Sequence, residues 1–107
     1  MAVRLTKPWM TESEAMQCLH GHLGVFQLAD ADANIIYIGY AGGASRMGLR
    51  GEVSGALAAV SGASLVRVEI TTAYMSRFRE LMMAHIADHG VPPAANPPVN
   101  LGKLSPA

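Results

Sequence analysis

The chain has 107 residues, half of them hydrophobic, with one cysteine and eight basic residues balanced by eight acidic ones. That length and apolar content suit one core and a single domain over residues 1–107, and the lone Cys18 rules out an intramolecular disulfide. A formal charge of zero argues against a large sequence-independent grip on nucleic acid, and no run approaches the roughly 20 apolar residues of a membrane span.

Residues 1–10 carry Arg4 and Lys7 but are interrupted by Pro8, and no apolar run with a small-residue cleavage site follows. A cytoplasmic protein is the expectation. Thr11-Glu12-Ser13-Glu14 has capping-box spacing, which predicts a short helix to about residue 19. Gly21 and Gly24 end that helix and open a hairpin. Its strands contain Gly24-Val25-Phe26 and Tyr37-Ile38-Gly39, on either side of the turn-prone Asp30-Ala31-Asp32-Ala33-Asn34. Residues 35–38 are apolar and β-branched, as in a central strand buried on both faces. In Tyr-Ile-Gly a phenol is followed by a residue without Cβ, where a ligand's backbone or phosphate can approach closely. Residues 40–45 read as a loop, with Ser45 as the N-cap of the next helix.

Over 47–60, Met47, Leu49, Val53, Leu57 and Val60 share one helical face, although Gly48, Gly51 and Gly55 each cost about 1 kcal/mol relative to alanine. Residues 65–71 alternate Val66, Val68 and Ile70 against Arg67 and Glu69, the pattern of a strand with one wet face. From residue 72 a helical stripe of Tyr74, Phe78, Leu81, Met82, His85 and His89 runs to a stop at Gly90 and Pro92. Glu80 lies off that stripe. The segment 92–98 is too rich in proline for a helix or central strand and is expected to run extended over the surface.

A hairpin, an arginine-bearing helix, a third strand, a helix with Glu80, and Asn96 beyond it follow one another in an order that resembles the GIY-YIG nuclease superfamily. The two tripeptides are separated by ten residues, similar to the family's spacing. Phe26 stands where the family has tyrosine. Arg46 falls one residue short of the family's usual arginine spacing and Arg50 three beyond it, with Ser54 one turn after Arg50.

The resemblance implies an α/β (α+β) fold over 22–100, a small three-stranded, mainly antiparallel sheet flanked by helices. A helical extension over 1–21 would precede it and an extended tail over 97–107 would follow. It implies a DNA endonuclease or nickase in which Tyr37 activates or positions water, Arg50 contacts the scissile phosphate and Glu80 holds one Mg²⁺ or Mn²⁺. Gly39, Tyr40, Arg46 and Asn96 would bind substrate. The residue types suit these tasks: carboxylate oxygens ligate Mg²⁺, a guanidinium forks onto phosphate, and tyrosine, with a reference pKa near 10, needs a neighbouring cation to ionise. Such nucleases carry a separate DNA-binding domain, so grip here would come from a partner protein or dimerisation. The alternative is a domain that kept the fold and lost catalysis, serving as a binding or oligomerisation module.

Each residue also has a plainer account. Tyr37 suits a core position with its hydroxyl at the rim, Glu80 an i,i+3 pair with Arg77, and Asn96 a turn. Arg46, Arg50, Arg77 and Arg79 would gather only if both long helices pack on the same side of the sheet. A zinc site from Cys18, His20 and His22 with His85 and His89 is a further alternative, unsupported by any paired CxxC or HExxH motif.

Overall fold

The hairpin is made by its turn. The Asp30 carboxylate accepts the backbone N–H of Asp32 at 3.0 Å and of Asn34 at 2.9 Å, and Ala33 takes a φ of 66° to close the reversal. The structure, a computed structural model, describes residues 5–96, so residues 1–4 and the tail expected over 97–107 lie outside the described residues. Two strands flank the turn, β2 (Gly24–Ala29) and β3 (Ile35–Ala41), with β1 (Met10–Thr11) and helix α1 (Glu12–Cys18) before them. After them come α2 (Gly48–Ala59), β4 (Leu65–Ile70) and α3 (Tyr74–His89).

The sheet has four antiparallel strands in the order β1-β4-β2-β3, so the three-stranded expectation is corrected by one strand. Strand β1 is only two residues long, too short to show a period of two, and it exists because Met10 and Thr11 pair with Val66 and Leu65. Thr11 is also the N-cap of α1. Its Oγ1 accepts the Glu14 N–H at 3.2 Å while its own N–H donates to Glu14 Oε1 at 2.8 Å, the capping box expected from the sequence.

Strands β3 and β4 both run antiparallel to β2, hence parallel to each other, and α2 provides the crossover between them. The alternation of β2 then divides the core. Phe26 and Leu28 pack with Ala15, Leu49 and Val53 of α1 and α2, whereas Val25 packs with Ile38 of β3 and with Leu81 and Met82 of α3. Full burial of each large side chain contributes about 1.5–3 kcal/mol. The two long helices therefore lie on opposite faces of the sheet, and the four arginines do not gather on one side.

Local details depart from expectation where tertiary partners outweigh propensity. Ser45 does not cap α2. The helix starts at Gly48 with a φ of 60°, a conformation that favours glycine, and its first amides are satisfied by chain that precedes the hairpin. The Leu49 N–H donates to His22 O at 2.8 Å and that of Arg50 to His20 O at 3.1 Å. Strand β3 continues to Ala41, through the start of the expected loop. On β4 the expected wet face is half-buried under α3, and Ile70 is the exposed residue at 59%. Helix α3 ends as expected at Gly90, in the left-handed region with a φ of 82°. Among the described residues no helix is long and apolar enough to cross a membrane.

Candidate functional site

Strand β3 is an edge of the sheet, and a cavity of about 510 Å³ runs along it. Strand alternation turns Tyr37 toward the α2 face and Tyr40 toward the α3 face, so the cavity wraps the edge. Of the residues expected at the site, Tyr37, Gly39, Tyr40 and Asn96 line it; Glu52 of α2 and Tyr74 and Phe78 of α3 line it as well.

Asn96 acts on the strand itself. Its Oδ1 accepts the Ile38 N–H and its Nδ2 donates to Ile38 O, both at 2.9 Å, while the Ala95 N–H donates to Ile36 O at 2.9 Å. The segment after α3 thus covers part of the β3 edge, which would otherwise present unpaired backbone groups. The need for Gly39 comes from inside the protein. A Cβ there would meet Phe26 Cζ at 2.5 Å and Tyr37 Cε2 at 2.9 Å, so the missing side chain makes room for the buried Phe26 ring.

Residues 42–45 tie the two sides of the cavity together. Ser45 Oγ accepts the Gly42 N–H at 3.1 Å and donates to Glu52 Oε2 at 2.8 Å, and the Gly43 N–H donates to the Tyr74 hydroxyl at 3.3 Å. The Tyr74 ring lies against Gly42, stacks on Tyr40 at 5.8 Å between centroids, and leaves Phe78 edge-on to Tyr40 at 5.2 Å. The result is an aromatic wall on one side and a carboxylate on the other. Burial, the Glu52 charge and Tyr40 push the Tyr37 phenol above its ordinary value, the direction opposite to that a general base requires.

The other expected residues lie elsewhere. Arg46 and Arg50 are exposed and do not line the cavity, since Arg50 is two helical positions from Glu52, about 200° around the axis. Glu80 does not line it either. Its Oε1 accepts from Arg77 Nη1 at 3.1 Å, and Arg77 Nε donates to Glu69 Oε2 at 3.0 Å, so the plain i,i+3 pairing is present and extended to β4. Burial acts to lower the Arg77 pKa, but Glu69 and then Glu80 more than offset it and raise the guanidinium above its ordinary value.

A cation on Glu80 would not share the cavity with the Tyr37 phenol, because Glu80 does not line it and accepts from Arg77. Nor, among the described residues, do three or more His, Cys, Asp or Glu side chains come together as a metal-binding group. Sequence reasoning missed Glu52 and Tyr74 as site residues. Glu52 carries only a phase signal, three residues after the buried Leu49 and beside the buried Val53, which puts it at the margin of the apolar stripe.

A family model described as "Domain of unknown function (DUF7508)" matches residues 3–88. The chain belongs to this family. The matched span runs from before β1 nearly to the end of α3 and includes Tyr37, Tyr40, Glu52 and Tyr74, but stops before Asn96. No curated protein and no solved structure matches the chain.

Proposed function

We propose that the chain is a GIY-YIG-like domain that works as a binding module, taking a basic side chain of a partner protein into the cavity along β3. The observation that carries this reading is the charge of the cavity: Glu52 lines it beside Tyr37, Tyr40 and Tyr74, and among the described residues no arginine, lysine or histidine does. A carboxylate next to the faces of tyrosine rings attracts an ammonium or guanidinium group and repels phosphate. Among the described residues Glu52 has no ion-pair partner, and its one hydrogen bond comes from a neutral hydroxyl. The rings supply rigid apolar area, and the exposed Tyr40, at 39%, is open to an incoming group.

Calorimetric titration with a short lysine- and arginine-containing peptide tests the proposal. Glu52→Gln is expected to weaken binding about tenfold, the loss of one charge-assisted contact and its support to the cation. Equal affinity of the variant and the parent would contradict it. The nuclease reading makes its own demand on the same preparation, cleavage of supercoiled plasmid with Mg²⁺ or Mn²⁺. We expect the plasmid to stay intact. Metal-dependent cutting that Glu52→Gln or Glu80→Gln abolishes would replace the binding reading with DNA hydrolysis.

A further inference from the structure

A second cavity, of about 190 Å³, lies between the sheet and α3, where Gln27 and Arg67 face His85 and His89. Its chemistry is opposite to that of the cavity along β3. The Arg67 guanidinium is half-buried, with its Nε donating to Gln27 Oε1 at 2.7 Å and its Cζ 4.1 Å from the centre of the Trp9 ring. Neither partner carries a negative charge, and the ion pairs of the described residues do not include Arg67. A cation withdrawn from water without a counter-ion is costly, and burial lowers the Arg67 pKa accordingly. His85 is only 8% exposed, and its Nδ1 is buried without a hydrogen-bond partner among the described residues. Its ring is 4.4 Å from that of His89. An orphan buried nitrogen of this kind costs about 1–3 kcal/mol.

We propose that this cavity binds a small tetrahedral oxyanion, either free inorganic phosphate or the end of a phosphomonoester. Arg67 offers its Nη groups, which make no hydrogen bond within the described residues, as a fork for two oxygens. His85 supplies a donor through Nδ1 once protonated, and His89 stands beside it. Asp88, the one carboxylate on the cavity wall among the described residues, is exposed, so solvent screens its repulsion of an anion. A metal cation is disfavoured because the guanidinium would repel it. Water alone would satisfy Nδ1, but it would leave the positive charge of Arg67 uncompensated. Burial and then His89 oppose protonation of His85, and Asp88 favours it. Arg67 of β4 faces the same cavity, and a bound dianion would favour the charged imidazole.

The test is NMR titration of the histidine ring resonances with phosphate and sulfate, against chloride at matched ionic strength. His85 and His89 are expected to shift with both oxyanions, and the His85 titration midpoint is expected to rise when the site is filled. Sulfate keeps its charge over this pH range, so its affinity should increase as pH falls below about 6.5, where histidine gains its proton. Arg67→Met should weaken binding at least about tenfold, and His89→Gln, at an exposed position, gives a second variant if Arg67→Met does not fold. Tighter binding of glycerol phosphate than of phosphate assigns the site to a phosphomonoester, and equal binding assigns it to the free ion. Histidine resonances that respond to neither oxyanion, or that respond equally to chloride, would overturn the proposal, as would unchanged affinity in both variants.

Discussion

Two helix carboxylates, Glu80 on α3 and Glu52 on α2, have opposite surroundings. Glu80 meets Arg77, a guanidinium with only 11% of its side chain exposed that also holds Glu69, so two carboxylates share one internal cation. Glu52 meets the Ser45 hydroxyl and a solvent-reachable aromatic cavity. Glu80 had the more suggestive spacing in the sequence, yet its charge is engaged within α3 by Arg77, the guanidinium that joins α3 to β4 through Glu69. A carboxylate is available to a ligand when its internal partner is neutral, wherever it falls in a motif.

The contrast between the two carboxylates depends most on Arg77. Arg77→Met removes the guanidinium that both Glu69 and Glu80 contact, and an expected loss of about 2–4 kcal/mol in denaturant unfolding follows from breaking the buried end of the network. A loss near zero would mean that the carboxylates are already solvated and that Glu80 is as available as Glu52. A smaller contrast separates the carboxylates themselves. Glu80→Gln removes a pair whose acidic side chain is 45% exposed and should cost under about 1 kcal/mol, whereas Glu52→Gln should change stability by no more than about 0.5 kcal/mol in either direction. The reverse ranking in thermal melts would make Glu52 the structural residue.

The smallest effect concerns pH and the face under α3. Burial, with the nearby His89 charge, holds the His85 pKa below its ordinary 6.5, while Asp88 acts the other way. The unfolded chain therefore binds this proton more readily than the folded one. Stability is full above about pH 6.5 and declines as pH falls from there toward the folded-state pKa. In anion-free buffer, His85→Gln should flatten that part of the stability profile; an unchanged slope would assign it to other groups.

The hairpin, both long helices, the α1 capping box and the Gly90 stop were legible because each rests on local chemistry: Asp30 binding its own turn, Thr11 and Glu14 exchanging hydrogen bonds, glycine accepting a positive φ. The pairing of Arg77 with Glu80 was legible for the same reason, being one helical turn long. What depended on distant partners was not. Met10 and Thr11 become a strand only because β4 offers an edge, and α2 begins at Gly48 because carbonyls of His20 and His22 receive its first amides. Whether α2 and α3 share a face is decided by the crossover between β3 and β4, and that choice separated Arg46 and Arg50 from Arg77 and Arg79. Of the site, Tyr37, Gly39, Tyr40 and Asn96 could be picked out by motif, while Glu52 and Tyr74 join them through the 42–45 turn, whose bonds leave no local signature.

The proposed binding role requires Glu52, and not Glu80, to be the carboxylate open to a cationic ligand. Tyrosine-ring NMR during titration with butylammonium and with ethylguanidinium, run on the parent protein, Glu52→Gln and Glu80→Gln, tests it most directly. Both cations are expected to shift the Tyr37 and Tyr40 resonances equally in the parent and in Glu80→Gln, and Glu52→Gln is expected to weaken the response about tenfold. A full response in Glu52→Gln, or a loss in Glu80→Gln as large, would contradict it.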